Sequence, residues 1–216
     1  INDFQGNTRQ LVFESNGFSK VFSTALVTWG VWQHVAVTYD GTSAKMYING
    51  IDANATGAVS FPLTAGTNNA KIGSFYSLSG SNFKGSMDEV RIWSVAKTAQ
   101  EIMINKDCSL PQHESDLIAY YNFDNGFVNG YNAGITTLAD QSTKGNDGTL
   151  ANFSLTGAAS NWAVGAAITG ICRPNLCAAS ATFQLYGLKN FWKNAGANDD
   201  NMFYHGLTQW KRVRAS

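Results

Sequence analysis

Oxygen-bearing side chains on polar loops are the residues whose types and spacing most directly suggest chemistry. Carboxylate and amide oxygens are the ligands that calcium prefers. Asp and Asn also bond neighbouring backbone groups and so form turns, which is the competing interpretation. Both interpretations stay open on the residues alone, because the spacing of an EF-hand does not occur. The candidate metal ligands are Asp88, Asp124, Asp140, Asn146 and Asp147.

Aromatic residues close to predicted turns form a second group of candidates. Exposed rings stack on the apolar faces of sugars, while amide groups bond the sugar hydroxyls. Trp32 and Trp93 lie in alternating segments, so we expect both in the core. For Tyr76 the core and binding interpretations are evenly matched. The candidates for a sugar site are Trp29, Phe75 and Tyr76, with Asn68 and Asn82 as polar partners.

The sequence carries no catalytic signature. Glycoside hydrolysis needs two carboxylates that face each other across a cleft, and the E-x-D-x-x-E strand pattern does not occur. Asp88 and Glu89 are adjacent in a predicted strand, so their side chains should point to opposite faces. We expect His34 to be packed or hydrogen-bonded rather than a base. A metal-dependent hydrolase of a glycoside, ester or lactone, which would use loop carboxylates and a histidine, is an alternative without a motif of its own.

The elements that must position these residues are predicted to be short β-strands. In residues 32–50, apolar and polar residues alternate twice, and Asp40-Gly41 and Asn49-Gly50 supply the tight turns of a β-meander. We expect this meander to be scaffold, with function on other loops. One helix is predicted after Thr98, because Glu101 completes a capping box. About a dozen strands and one short helix predict an all-β fold, a two-sheet antiparallel sandwich or jelly roll.

Composition restricts the range of partners. The chain has 216 residues, 14% of them charged, and a formal net charge of zero, which argues against nucleic acid. Residues 171–216 differ from the rest, with six basic residues against two acidic ones, a balance of +4. No apolar run is long enough for a transmembrane helix.

The three cysteines leave the disulfide pairing open. Cys172 could pair with Cys177, and Cys108 could pair with either of them. An odd count leaves one thiol unpaired or in contact with another chain. The spacing is not that of a zinc site.

Several motifs, taken in order, resemble the laminin-G-like family. W-Q-H-V-A-V-T-Y-D-G (32–41), K-M-Y-I-N-G (45–50) and G-S-M-D-E-V-R-I-W (85–93) are similar to the concanavalin-A-like jelly-roll modules of secreted bacterial proteins and pentraxins. L-I-A-Y-Y-N-F-D (117–124) and D-Q-S-T-K-G-N-D-G-T-L (140–150) resemble an edge of such modules. The resemblance covers about residues 9–155.

This resemblance implies an extracellular or cell-surface module that binds carbohydrate or glycoprotein. It also implies a structural calcium ion near Asp88 and the loop 140–147. The same fold serves hydrolases and structural or adhesion spacers, so both stay as alternatives.

The family pattern also suggests a domain organisation. We expect a sandwich over residues 1–165 and a tail or appended segment of unassigned role over residues 166–216. The front strands usual in the family are missing upstream of residue 9. Either these strands are lost or residues 117–155 supply the missing edge, as in a circular permutation, and we favour the second, because an open sheet edge promotes aggregation.

Overall fold

The computed structural model describes residues 9–15, 19–53, 56–57, 69–74, 83–111, 114–158 and 160–172. All of them lie in the first of two compact units, Ile1–Cys172. No helix within these ranges is both long and apolar enough to span a bilayer. The strands are β1 (Gln10–Ser15), β2 (Ser19–Leu26), β3 (Val35–Tyr39), β4 (Ala44–Ile48), β5 (Ile51–Asp52), β6 (Thr56–Gly57), β7 (Val90–Trp93), β8 (Leu117–Tyr121), β9 (Thr137–Leu138) and β10 (Gly148–Thr149), and the helix is α1 (Ala99–Asn105).

Two three-stranded antiparallel sheets pack against each other. One has the order β1-β2-β6 and the other has the order β3-β4-β5. Leu11 and Val21 from the first sheet share a core cluster with Met46 and Ile48 from the second. Removing this apolar surface from water stabilises the contact by about 25 cal/mol per Å². The prediction of an all-β antiparallel sandwich with one short helix is confirmed.

The meander predicted for residues 32–50 is present as strands β3 and β4. Its second turn needs left-handed backbone, with φ values of 52° at Asn49 and 78° at Gly50. A side chain at position 50 would bring its Cβ within 2.9 Å of Met103 Sδ in α1. Only glycine therefore lets the helix approach this turn so closely.

The predicted capping box begins helix α1. The Thr98 hydroxyl accepts a hydrogen bond from the Glu101 amide, and the Glu101 carboxylate accepts one from the Thr98 amide. The last turn of the helix is held by Arg91 of β7, which donates to the Asn105 carbonyl at 2.7 Å and to the Cys108 carbonyl. One arginine therefore ties the end of the helix to a strand.

Strand β8 pairs antiparallel with β7, so residues 117–121 lie beside residues 90–93. The chain returns to this region at its last described residues, where Cys172 forms a disulfide with Cys108. This bond answers the pairing that the sequence leaves open, and Cys177 lies outside the described residues. The circular permutation stays a prediction, and the pairing of β7 with β8 is the contact that it requires.

Candidate functional site

A cleft of about 280 Å³ lies between the β3–β4 hairpin and the segment that leads into α1. It is open to solvent on one side and mixes polar and apolar groups. Its walls come from two stretches that are far apart in sequence. The lining residues are Thr38, Asp40, Ser43, Lys45 and Tyr47 from the hairpin, and Ala96, Lys97, Thr98 and Ala99 from the helix side.

The hairpin side of the cleft follows from strand register. Thr38 of β3 is paired with Lys45 of β4, so both side chains project from the same face of the sheet. Asp40 lies in the turn between the strands, where its Oδ1 accepts hydrogen bonds from the Ser43 amide at 2.7 Å and the Thr42 amide at 2.9 Å. Both hydrogen bonds lower the pKa of Asp40, and the bond from Ser43 has the larger effect. The cleft therefore keeps a carboxylate at neutral pH.

The helix side of the cleft is fixed by Lys97. Its ammonium lies 4.0 Å from the centroid of the Trp93 ring and 3.8 Å from a carboxylate oxygen of Glu101. A cation over an indole face is attracted to the ring, so the long lysine side chain is held in place. Hydrogen bonds from Thr98 lower the pKa of Glu101, although burial opposes them. The capping box thus positions the lysine as well as the helix.

The cleft offers hydrogen-bond donors and acceptors together. It carries one carboxylate and two ammonium groups beside the hydroxyls of the two strands and the turn. Such a mixture can bond the many hydroxyls of a polar ligand from several directions. The described lining holds a single carboxylate, so it lacks the second acid that glycoside hydrolysis needs.

The aromatic candidates fall mostly outside the structure described. Phe75, Tyr76, Asn68 and Asn82 all belong to ranges that are not described, so their assignment to a sugar site stays a prediction. Trp29 is described and is 55% exposed. It lies in the turn after β2 and is not part of the cleft lining.

Of the two tryptophans expected in the core, one packs there and the other is exposed. Trp93 packs against the cluster around Leu117 and Tyr120, as predicted. The prediction that Trp32 is a core residue is wrong, because its side chain is 45% exposed. The physical reason is that β3 begins only at Val35, so Trp32 lies in the preceding loop and has no strand face to follow.

Asp140, the central candidate for calcium, has its oxygens occupied by hydrogen bonds. Its Oδ1 accepts from the amides of Tyr120 and Ser142, both at 2.9 Å. Its Oδ2 accepts from the Ser142 hydroxyl at 2.7 Å and the Asn146 amide at 2.8 Å. A carboxylate accepts about four such bonds. Asp140 therefore does not fit the role of a calcium ligand in this arrangement.

The other oxygen candidates are also partly engaged. Asp147 accepts a hydrogen bond from the Asp140 amide at 2.8 Å, and the Asn146 side chain donates to the Ile118 carbonyl at 2.8 Å. Asp124 is exposed and accepts from the Asn122 amide group. The described residues contain no group of three or more acidic, histidine or cysteine side chains suited to a metal. Calcium stays a prediction from the family resemblance.

Asp88 lies away from a regular strand. Its carboxylate accepts hydrogen bonds from the Glu89 amide at 2.9 Å and the Ala166 amide at 2.7 Å. Burial raises the pKa of Asp88, and the nearby charge of Asp124 adds to this effect. Strand β7 starts at Val90 and Glu89 has a φ of 54°. The expectation that Asp88 and Glu89 alternate within one strand is therefore wrong.

The first half of the chain matches a known protein family. Residues 3–103 match the Laminin_G_3 family of the concanavalin A-like lectin/glucanases superfamily. We call this matching segment the laminin-G-type domain. It contains β1 to β7, most of α1 and all nine residues that line the cleft.

The laminin-G-type domain has relatives in larger proteins. In alignments of 105 positions, which cover 44% of this chain, it is 33% identical to mouse pappalysin-1 and 30% identical to human pappalysin-1. The match spans only 6% of the length of either pappalysin.

Two solved structures are also similar to this chain. One is a proposed carbohydrate binding protein from Bacteroides ovatus. It is 27% identical in sequence, the match covers 62% of this chain and 38% of that chain, and the TM-score is 0.49. The other is an S-layer domain-containing protein from Clostridium thermocellum. It is 30% identical in sequence, the match covers 44% of this chain and 49% of that chain, and the TM-score is 0.33.

The cleft of the laminin-G-type domain was not predicted from the sequence. The meander supplies five of its lining residues, although its alternation indicated only scaffold. The signal that could have drawn attention to it is the pairing of Thr38 with Lys45 on the polar face of the hairpin. The helix side needs tertiary structure, because Lys97 is 52 positions from Lys45 in sequence.

Proposed function

We propose that the laminin-G-type domain binds carbohydrate or glycoprotein through the cleft between the β3–β4 hairpin and the start of α1. The observation that carries the proposal is the lining, in which hydroxyls, a carboxylate and two ammonium groups surround one open volume. Ligands rich in hydroxyls are the chemical class that can use donors and acceptors placed together. The superfamily of this domain, named for lectins and glucanases, supports the same class.

Binding without turnover is the form of the proposal. Asp40 is the one carboxylate in the described lining, and its Oδ1 already accepts two backbone hydrogen bonds. A retaining or inverting hydrolase would need a second carboxylate across the cleft. Calcium is left out of the proposed site, since the described lining sets one carboxylate beside two ammonium groups, which repel a cation.

We infer an extracellular or cell-surface location for the protein. The Cys108–Cys172 disulfide supports this inference, because such bonds persist in oxidising compartments and are rare in the cytosol. Labelling intact cells with a membrane-impermeant reagent tests it. Labelling only after cell lysis would contradict it.

A glycan array followed by calorimetry tests the cleft. We expect Thr38→Val and Lys45→Met each to weaken binding of the best glycan about tenfold, the effect of losing one or two hydrogen bonds. Thr137→Val and Lys144→Met are matched controls, because both residues are exposed and lie outside the lining. Equal losses in the controls, or no loss in the cleft variants, would contradict the proposal. Release of a cleaved product would favour a hydrolase instead.

A further inference from the structure

The loop 125–131 exposes aromatic rings on a rigid backbone. The side chains of Phe127 and Tyr131 are 75% and 80% exposed, and Val128 between them is 51% exposed. Leaving large apolar side chains in water forgoes the stabilisation that burial would give. Their exposure has no explanation in the packing of the described residues.

A buried asparagine clamps Phe127 at both backbone groups. Asn132 is only 1% exposed. Its Oδ1 accepts from the Phe127 amide, and its Nδ2 donates to the Phe127 carbonyl, both at 2.8 Å. The same Nδ2 donates to Asn161 at 2.7 Å, and Asn161 in turn donates to the Gly130 carbonyl at 2.8 Å. A buried amide with these partners fixes the turn in one conformation.

The loop is also clamped by tight packing. A Cβ at position 126 would come within 2.3 Å of the Trp162 ring, and one at position 130 within 2.7 Å of the Phe127 Cβ. Only glycine fits at either position. Trp162 itself is anchored, since its indole N–H donates to the Phe123 carbonyl at 2.7 Å. Tyr131 is held by a β-bridge to Thr156.

The chemistry of the loop favours a neutral ligand. No charged residue occurs between Asp124 and Asp140, so the loop offers no positive charge to an anionic partner. Besides the rings, the exposed groups include the amides of Asn125 and Asn129. Aromatic faces next to amides suit a pyranose ring, which has apolar C–H faces and hydroxyl edges.

The size of the surface favours a small ligand over a second protein. Two aromatic rings bury on the order of 150–250 Å² each. A stable protein interface needs roughly 800 Å² from each partner. Rings held in place before binding also lose little side-chain freedom when a sugar stacks on them.

We propose that the loop 125–131 is a second sugar-binding surface, which takes a neutral oligosaccharide by stacking on Phe127 and Tyr131. This loop lies outside the residues 3–103 that match the family. It shares its ligand class with the cleft, but it depends on other residues. The two sites can therefore fail separately.

The test measures binding of neutral and acidic oligosaccharides of matched length to the full chain by calorimetry. We expect the Phe127→Ala/Tyr131→Ala variant to bind the neutral oligosaccharides about tenfold or more weakly, the effect of losing one or two stacking contacts. Val164→Ala is the control for loss of an exposed apolar side chain outside the loop 125–131, because Val164 is 76% exposed. It should bind as the wild type does, and both variants should keep the circular dichroism spectrum of the wild type.

Each outcome separates this site from the cleft. A loss in the loop variant with binding retained in Thr38→Val supports the loop and contradicts the cleft. A loss in Thr38→Val alone overturns the loop proposal and leaves the cleft standing. Absence of any neutral-sugar binding overturns the loop proposal. Self-association of the wild type that the loop variant loses in light scattering also overturns it, in favour of a contact between copies of the chain.

Discussion

Asp140 joins the loop 140–147 to strand β8 through hydrogen bonds alone. Burial by itself would raise the pKa of this carboxyl, but bonds from Ser142, Tyr120 and Asn146 outweigh burial and lower it. The Asn146 side chain adds a bond to the Ile118 carbonyl of the same strand. At the scale of one residue, the Asp140 carboxylate holds this loop against the strand, and the calcium ion implied by the family resemblance stays a prediction.

Replacing Asp140 by Asn tests this role. The variant presents an amide group to donors that now bond a carboxylate, so we expect the free energy of unfolding to fall by about 2 kcal/mol. Urea denaturation measures the change. Asp124→Asn is the matched control, because Asp124 is exposed and its carboxylate accepts a hydrogen bond from the Asn122 side chain.

A chelator distinguishes this role of Asp140 from a calcium site in the loop 140–147. We expect the melting temperature of the wild type to stay the same in EDTA, since the Asp140 oxygens are occupied. A fall in melting temperature that calcium restores, and that Asp140→Asn removes, would show that the loop holds the ion.

We expect His34 to make the stability of the fold depend on pH. Burial lowers the pKa of His34 below its usual 6.5, and the charge of Arg91 adds to this shift. Asp107 opposes the shift and Lys106 supports it. Nδ1 of the ring is buried and has no hydrogen-bond partner among the residues that the structure describes. A proton on this ring is therefore less stable in the folded chain than in the unfolded chain.

The sign of the effect follows from that difference. The unfolded chain binds the proton first, so stability is fully present above about pH 6.5 and falls as the pH drops toward the folded pKa. We expect His34→Gln to show a flatter profile over that window in thermal melts. An unchanged profile would mean that His34 does not carry the dependence.

At the scale of elements, Arg91 and Glu89 connect β7, β8 and the end of α1. Their side chains are 10% and 14% exposed and form an ion pair. The Tyr120 hydroxyl of β8 donates to the same carboxylate at 2.8 Å. Burial, followed by the hydrogen bond and charge of Glu89, raises the pKa of Tyr120. The three side chains form one buried polar network.

Arg91→Met should destabilise the domain strongly. It leaves the Glu89 carboxylate buried without its cation, so we expect the free energy of unfolding to fall by about 3 kcal/mol. Lys97→Met removes an ion pair that is partly exposed and should cost less than about 1 kcal/mol. Adding Glu89→Gln to Arg91→Met should recover part of the loss in urea denaturation. Equal effects of the two single variants would contradict the buried network.

The same elements show what local sequence can and cannot predict. Thr98 and Glu101 predict the helix start because the capping box is completed within four residues. The meander is predictable for the same reason, since its alternation and turns are local. The exposure of Trp32 and the left-handed backbone of Glu89 were missed, because both depend on where a strand begins. The cleft was missed because its two walls meet only in three dimensions.

At the scale of the molecule, the disulfide closes a long stretch of chain. Cys108 and Cys172 are 64 residues apart. Closing a loop of this length restricts the unfolded chain and stabilises the fold by about 4 kcal/mol on the chain-entropy account. Cys108→Ser/Cys172→Ser should lose up to that amount in urea denaturation, whereas Cys177→Ser should not. A double variant as stable as the wild type would contradict this role.

The central claim is that the laminin-G-type domain binds sugar in the cleft, and chemical-shift mapping tests it most directly. The glycan that binds best on an array is titrated into ¹⁵N-labelled protein, and amide shifts are followed by NMR. We predict that the amides of residues 38–47 and 96–99 show the largest shifts. Shifts in the loop 125–131 are not counted, because that loop is proposed as a separate sugar-binding surface. A ligand that binds while the amides of both cleft segments stay unmoved would contradict the claim.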